Sequence, residues 1–221
     1  MDFMQAIENR HSVRDYTDKK IDKDIVSELQ KEINLCNDEG KLHIQLVTDE
    51  PEAFGGIMAH YGKFNNVKNY IALIGKKGPE LEEKIGYYGE ALALKAQQLG
   101  LNTCWVALTF SKGKSRCEIN KGEKLVCVLS LGYGRTQGVP HKSKSLLELC
   151  KAEGEMPGWF KKGMDAAILA PTATNQQKFL ITFSENRVSA KSTGGFYSKV
   201  DLGIVKKHFE IGAGTENFSW E

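Results

Sequence analysis

Residues 9–16 read N-R-H-S-V-R-D-Y and bring Arg10, His11, Ser12 and Arg14 together in a short run. Guanidinium forks and a hydroxyl suit phosphate oxygens, which each guanidinium can hold through two parallel hydrogen bonds. The same run also reads as a solvated helix end whose cations complement the helix dipole. A second stretch, A-P-T-A-T-N-Q-Q-K-F at 170–179, sets Pro171 ahead of Thr172, Asn175 and Gln177. Side-chain amides both donate and accept, so they match an imide-like ring edge or a polyol. The plainer alternative is a loop whose Asn175 and Gln177 cap backbone groups. H-K-S-K at 141–144 adds Lys142 and Lys144, as ligand contacts or as a solvated basic turn.

Composition narrows the setting of these groups. In 221 residues, 30 Lys and Arg face 28 Asp and Glu, so no global field draws the chain to nucleic acid or to a membrane surface. Any bound anion is held locally. The hydrophobic share of 41% and charged share of 26% suit a folded soluble chain with a substantial core. Five dispersed cysteines without a C-x-x-C read as free thiols in a reducing cytoplasm. Five histidines without ligand spacing predict no metal site. The opening M-D-F-M-Q-A-I-E lacks signal-peptide character, and no apolar run is long enough for a membrane span. The chain is therefore expected to be cytoplasmic.

Periodicity supplies the elements that must position the polar groups. Residues 2–9 predict a helix with Phe3, Met4 and Ile7 on one face. Residues 22–35 predict another, with Ile25, Val26, Leu29, Ile33 and Leu35 inward. Residues 42–48 alternate as a half-buried strand, while 69–75 and 125–132 read as interior strands. The longest helix is expected over 80–99 and stops at Gly100. A helix follows the loop that begins at 138, and E-G-E-M-P-G (153–158) is the candidate linker. Beyond it come a helix (159–169), the loop 170–177, a strand (178–183) and a last helix near 200–212. Helix, polar loop and strand recur at 24–48 and 159–183, each followed by a Gly-Gly pair. This suggests either a two-fold internal repeat or chance recurrence of a common unit.

Four patches together resemble the flavin-dependent nitroreductase family and span about half the chain. N-R-H-S-V-R-D-Y is similar to its R-x-S-x-R segment after the first helix. G-E-A-L-A-L-K-A-Q-Q-L-G-L-N-T-C-W is similar to its central helix and following turn. L-S-L-G-Y-G with K-S-K-S-L-L-E-L resembles the late strand and basic segment. A-P-T-A-T-N-Q-Q-K-F resembles A-P-S-x-x-N-x-Q-P-W. In typical members this last segment follows the second helix. Here that place holds N-D-E-G-K (37–41), and the motif stands at 170.

The resemblance implies an α+β class, specifically a nitroreductase-like α/β/α fold with a mixed central sheet flanked by helices. The displaced motif and the repeat suggest an internal pseudo-dimer, with residues 1–152 as the first half and 153–221 acting as the partner subunit. One FMN per chain follows, since R-H-S-V-R occurs once, and a monomer is favoured over a homodimer. By resemblance Arg10 and Ser12, with His11 nearby, hold the phosphate and ribityl chain, and Lys142 and Lys144 add phosphate contacts. Arg14 lies at the flavin N1 and O2 edge, where a fixed cation tunes the cofactor. Pro171, Thr172, Ala173, Asn175 and Gln177 contact the cofactor from the partner-like half, although Ala173 replaces a common serine. The backbone after Trp105 (Val106, Ala107, Leu108) lies against the N5 edge, and Asn65 and Lys68 approach the pyrimidine ring.

The activity implied is ping-pong transfer of hydride from NADH or NADPH to a small electron-poor acceptor such as a nitroaromatic or quinone. No side-chain acid, base or nucleophile is required, so no catalytic residue is assigned. The alternatives are other FMN chemistry on the same fold, such as dehalogenation or dehydrogenation, or a flavin-binding protein without reductase activity. The latter is motivated by N-D-E-G-K and by the missing glycines at 106–108.

Overall fold

The computed structural model describes residues 1–184 and 187–221. In chain order its elements are α1 (Phe3–Asn9), α2 (Lys23–Gly40), β1 (Gln45–Val47), α3 (Ile57–Tyr61), β2 (Asn69–Lys76), α4 (Leu81–Gln98), β3 (Asn102–Val106) and β4 (Glu123–Gly132). Then follow α5 (Leu146–Leu149), β5 (Cys150–Ala152), α6 (Gly158–Ile168), β6 (Phe179–Ser184), β7 (Arg187–Ser192) and α7 (Ser198–Ala213). The class is α+β. The chain divides into a sheet unit (Asn9–Leu81 and Leu92–Pro140) and a helical unit (Met1–Glu8, Glu82–Ala91 and His141–Glu221). The boundary expected at 152/153 falls just past β5, within the helical unit.

The sheet unit is built on β2, whose apolar run buries every residue from Tyr70 to Gly75. That is the pattern of a strand covered on both faces. Its sheet has the order β1-β2-β4-β3, with every neighbouring pair antiparallel. On one side Phe54 stacks on Phe110 at 6.0 Å and meets the edge of Phe64 at 5.3 Å. These rings join Val13, Tyr16, Tyr70, Cys104, Val106 and Val128 in one buried cluster.

α2 runs to Gly40, so residues 37–40 of the expected N-D-E-G-K loop are helical. The Asn37 side chain explains the extension. Its Oδ1 accepts from Ile44 N at 2.7 Å and its Nδ2 donates to Ile44 O at 2.9 Å, tying the last turn to the returning chain. Lys41 then ends the helix in the left-handed region at φ 53°, the conformation that commonly terminates helices. The buried stripe is Leu29, Ile33, Cys36 and Gly40. Leu35, expected inward, is 56% exposed because it lies off that stripe, and Phe3 is likewise exposed.

In the helical unit the strands form a second sheet, β5-β6-β7, and this sheet is mixed, whereas the four-stranded sheet, where mixed pairing was expected, is wholly antiparallel. β5 runs parallel to β6, and β6 antiparallel to β7. α7 packs closely because glycine stands at its crossings. A Cβ on Gly203 would overlap Glu83 O of α4, and one on Gly212 would overlap Lys162 O of α6. His208, fully buried, spans both crossings. Its Nδ1 faces Ala166 O at 3.0 Å and its Nε2 faces Glu90 Oε1 at 2.9 Å. A carbonyl only accepts, so the proton at Nδ1 is fixed by this geometry. Phe160 and Phe209 complete the core, each contributing about 1.5–3 kcal/mol by burial.

Candidate functional site

Residues 10–17 form an extended strap threaded through the sheet unit. Ser12 bridges Thr103 in parallel, and Val13 N donates to Thr103 O at 3.1 Å. Further along, Tyr16 bridges Gly134, Thr17 N donates to Tyr133 O at 2.8 Å and Arg135 N donates to Asp15 O at 2.9 Å. Tyr16 is the anchor. Fully enclosed, its hydroxyl donates to Val13 O at 2.7 Å and pairs with Ser130 Oγ at 2.8 Å. Burial pushes its pKa far above the ordinary phenol range, so it stays a neutral hydrogen-bonding group.

The anchor fixes the basic side chains in graded exposure. Arg10 is buried, at 4% exposure, His11 and Ser12 are half-buried, and Arg14 is exposed. The Arg14 guanidinium lies 5.8 Å from the centroid of the Phe64 ring, within cation–π range. Burial pushes the Cys104 thiol up, opposed by the Arg14 charge, a hydrogen bond with Ser12 and the Arg10 charge. Arg10, Ser12 and Arg14 thus all lie near one enclosed thiol, on one strap. Gly138 completes it, because its φ of 72° suits glycine and a side chain there would press on His11 and Ser12.

Asn65 joins this cluster. Its backbone N donates to Arg14 O at 2.8 Å and its Nδ2 to Asp15 Oδ1 at 2.8 Å. Lys68 pairs with Asp18 at 2.7 Å. Trp105 and Val106 end β3, the strand beside Ser12, with Val106 buried and Leu108 55% exposed.

The other expected residues lie in the helical unit, where they form a knot of their own. Gln177, 3% exposed, uses both ends of its amide on the basic segment. Its Oε1 accepts from Lys144 N at 2.7 Å and its Nε2 donates to Lys142 O at 2.9 Å. Asn175 Nδ2 also donates to Lys142 O, at 3.0 Å, and Thr172 Oγ1 accepts from Gln177 N at 3.0 Å. The side-chain amides therefore cap backbone here and hold Lys142 and Lys144 in place. Pro171 and Ala173 shape the turn; Ala173 N donates to Asp201 Oδ1 at 2.9 Å.

Asp201 was not anticipated. It is 4% exposed at the start of α7, and burial raises its pKa from 3.8 to about 6 despite the bonds from Gln176 and Ala173. The signal in the sequence is a lone carboxylate inside the apolar run V-D-L-G-I-V. Among the described residues no group of His, Cys, Asp and Glu is arranged to hold a metal ion. No helix among them is long and apolar enough to cross a membrane.

The chemistry of the strap suits a flavin phosphate and ribityl chain, with guanidinium and hydroxyl donors on one surface. Comparisons with known proteins show the family. The family described as "Putative TM nitroreductase" matches residues 2–213. A "putative nitroreductase" from Thermotoga maritima is similar in fold at 22% identity and a TM-score of 0.68, covering 96% of this chain and 83% of its own. A "putative nitroreductase" from Desulfovibrio desulfuricans, solved in complex with FMN, is 17% identical with a TM-score of 0.56, covering 71% of this chain and 99% of its own. A "Putative NADH dehydrogenase/NAD(P)H nitroreductase" from Parabacteroides distasonis is 18% identical with a TM-score of 0.53, covering 66% and 95%. No curated protein matches the sequence.

Proposed function

Since the chain belongs to the nitroreductase family, we propose that it is an FMN-dependent oxidoreductase that takes hydride from NADH or NADPH and passes it to a small electron-poor acceptor of nitroaromatic or quinone type. The observation that carries this reading is the strap, where Arg10, Ser12 and Arg14 are held by Tyr16 beside Asn65. The FMN complex of the Desulfovibrio desulfuricans relative supports the choice of ligand. FMN would supply the two-electron carrier, which the side chains lack.

The chain's own residues bind and orient. Arg10 and Ser12, with His11, take the phosphate and ribityl chain, and Arg14 with Asn65 faces the pyrimidine edge. The backbone of Val106, Ala107 and Leu108, after Trp105, borders the reacting edge. In the helical unit Asn175 and Gln177 hold the backbone at Lys142 and Lys144, while Pro171, Thr172 and Ala173 shape the loop that carries those amides. Donor and acceptor would bind in turn at the same face, a ping-pong scheme that needs no side-chain nucleophile.

The reading also takes the chain's second half as standing in for a partner subunit, so that one chain binds one FMN as a monomer. Titration of the purified protein with FMN tests the central assignment. Saturable binding with one site per chain is expected, and the absence of binding would overturn it.

A further inference from the structure

Leu35 and Ile119 are exposed at isolated sequence positions in the sheet unit, which is ordinary for a folded chain. α3 differs, because it gathers such side chains. Ile57 is 87% and Tyr61 82% exposed, Met58 is exposed beside them, and of the five residues of α3 Ala59 alone is buried. Folded chains seldom leave large apolar side chains grouped in water unless a ligand or partner uses them.

Both flanks of α3 are fastened within the sheet unit. Ahead of it, Ser111 N donates to Ala53 O at 2.8 Å and Lys114 pairs with Glu52 at 3.5 Å. Behind it, Gly62 packs so closely on Thr109 that a Cβ would stand 2.7 Å from the threonine Cβ and Oγ1. That contact sets the end of α3 next to the exposed Leu108. Phe64 N then donates to Ala59 O at 2.9 Å, and the Phe64 ring carries the Arg14 guanidinium. α3 is thus bound on one side to the segment that follows β3 and on the other to the strap.

We propose that Tyr61 is a specificity-determining residue whose ring, with Ile57 and Leu108, receives the planar apolar ring of the electron acceptor. The proposal rests on the FMN-dependent reading above, which sets residues 106–108 at the reacting edge and Arg14 with Asn65 at the pyrimidine edge. α3 is joined to both, so its apolar side chains border the face that an acceptor must reach. The face of a phenol ring is electron-rich and complements an electron-poor ring such as a quinone or nitroaromatic. Ile57 and Leu108 offer uncharged surface against which such a ring leaves water. An ionic acceptor without a ring gains nothing from these three.

The test uses the FMN-loaded protein, reduced with dithionite and mixed anaerobically with menadione, a planar quinone, or with ferricyanide, an ion without a ring. Menadione takes up two electrons and two protons to become the hydroquinone, whereas each ferricyanide takes one electron, so two are consumed per flavin. In Tyr61→Ala the half-saturating menadione concentration should rise about three- to tenfold while ferricyanide reoxidation is unchanged, and Tyr61→Phe should keep the parent value. Leu35→Ser, at an isolated exposed position, should alter neither acceptor. FMN affinity in Tyr61→Ala should stay within about twofold of the parent. Unchanged menadione saturation in Tyr61→Ala, an equal loss with ferricyanide, or the same rise in Leu35→Ser would overturn the proposal. A parallel fall in FMN affinity would overturn it by giving the ring to the cofactor. A parent dimer that Tyr61→Ala renders monomeric would overturn it by giving the patch to a second copy. A parent protein that binds no FMN would instead bring down the underlying reading, and the proposal with it.

Discussion

Arg10 and Arg14 sit four residues apart yet meet different surroundings, the first enclosed and the second exposed over Phe64. A charge-assisted hydrogen bond to an anion contributes about 1.5–3 kcal/mol. Arg10→Ala and Arg14→Ala should therefore each weaken FMN by about ten- to a hundredfold, read by fluorescence titration. Unchanged affinity in both would remove the strap from the binding site. The residue types of this surface were legible in the sequence, because R-H-S-V-R carries its chemistry in consecutive letters. What Asn175 and Gln177 bond to was not, since either partner fits an amide. The structure gives both to the backbone at 142–144. Asp201 was hidden for another reason: its partners, Ala173 N and Gln176, lie far back in the chain.

Helix and strand placement followed the apolar patterns wherever a run was long. β2, β4 and α4 lie within two residues of their expected limits. Short elements escaped because three residues cannot display a period, as with β5, and because β7 alternates weakly. Nor does periodicity show that two helices touch through glycine. Gly203 has that role, since a methyl group there would strike Glu83 O and stand 2.6 Å from Tyr87 N, both backbone atoms. Gly203→Ala should lower Tm by about 5 °C or more, whereas Gly78→Ala, at a site with open space, should shift it by about 2 °C at most. Equal shifts would contradict the packing account.

The start of α7 also gives a pH signature. The folded Asp201 carboxyl binds its proton more tightly than the unfolded chain does, with a pKa near 6 against 3.8. Its contribution therefore favours the folded state as pH falls from about 6 toward 4. Above that window the ionised, enclosed group costs up to about 3 kcal/mol. Asp201→Asn should flatten the difference in urea midpoint between about pH 4.5 and about pH 6.5. The same difference in parent and variant would contradict the assignment.

At the scale of the whole molecule, the proposed reading takes one chain to bind one FMN by itself. Sedimentation of the FMN-loaded protein should then give a monomer of 24.6 kDa, and an obligate dimer would contradict that part of the account. The family was legible because its patches survive as local strings. The donor and the acceptor are not, because neither is named by a local string. The most direct measurement is the visible absorption spectrum of the purified protein with FMN, taken before and after anaerobic addition of NADH or NADPH. The account predicts one tightly bound oxidised flavin per chain that bleaches with at least one donor and recovers its colour when a quinone is added. A protein that retains no flavin, or whose bound flavin neither donor bleaches, would contradict it.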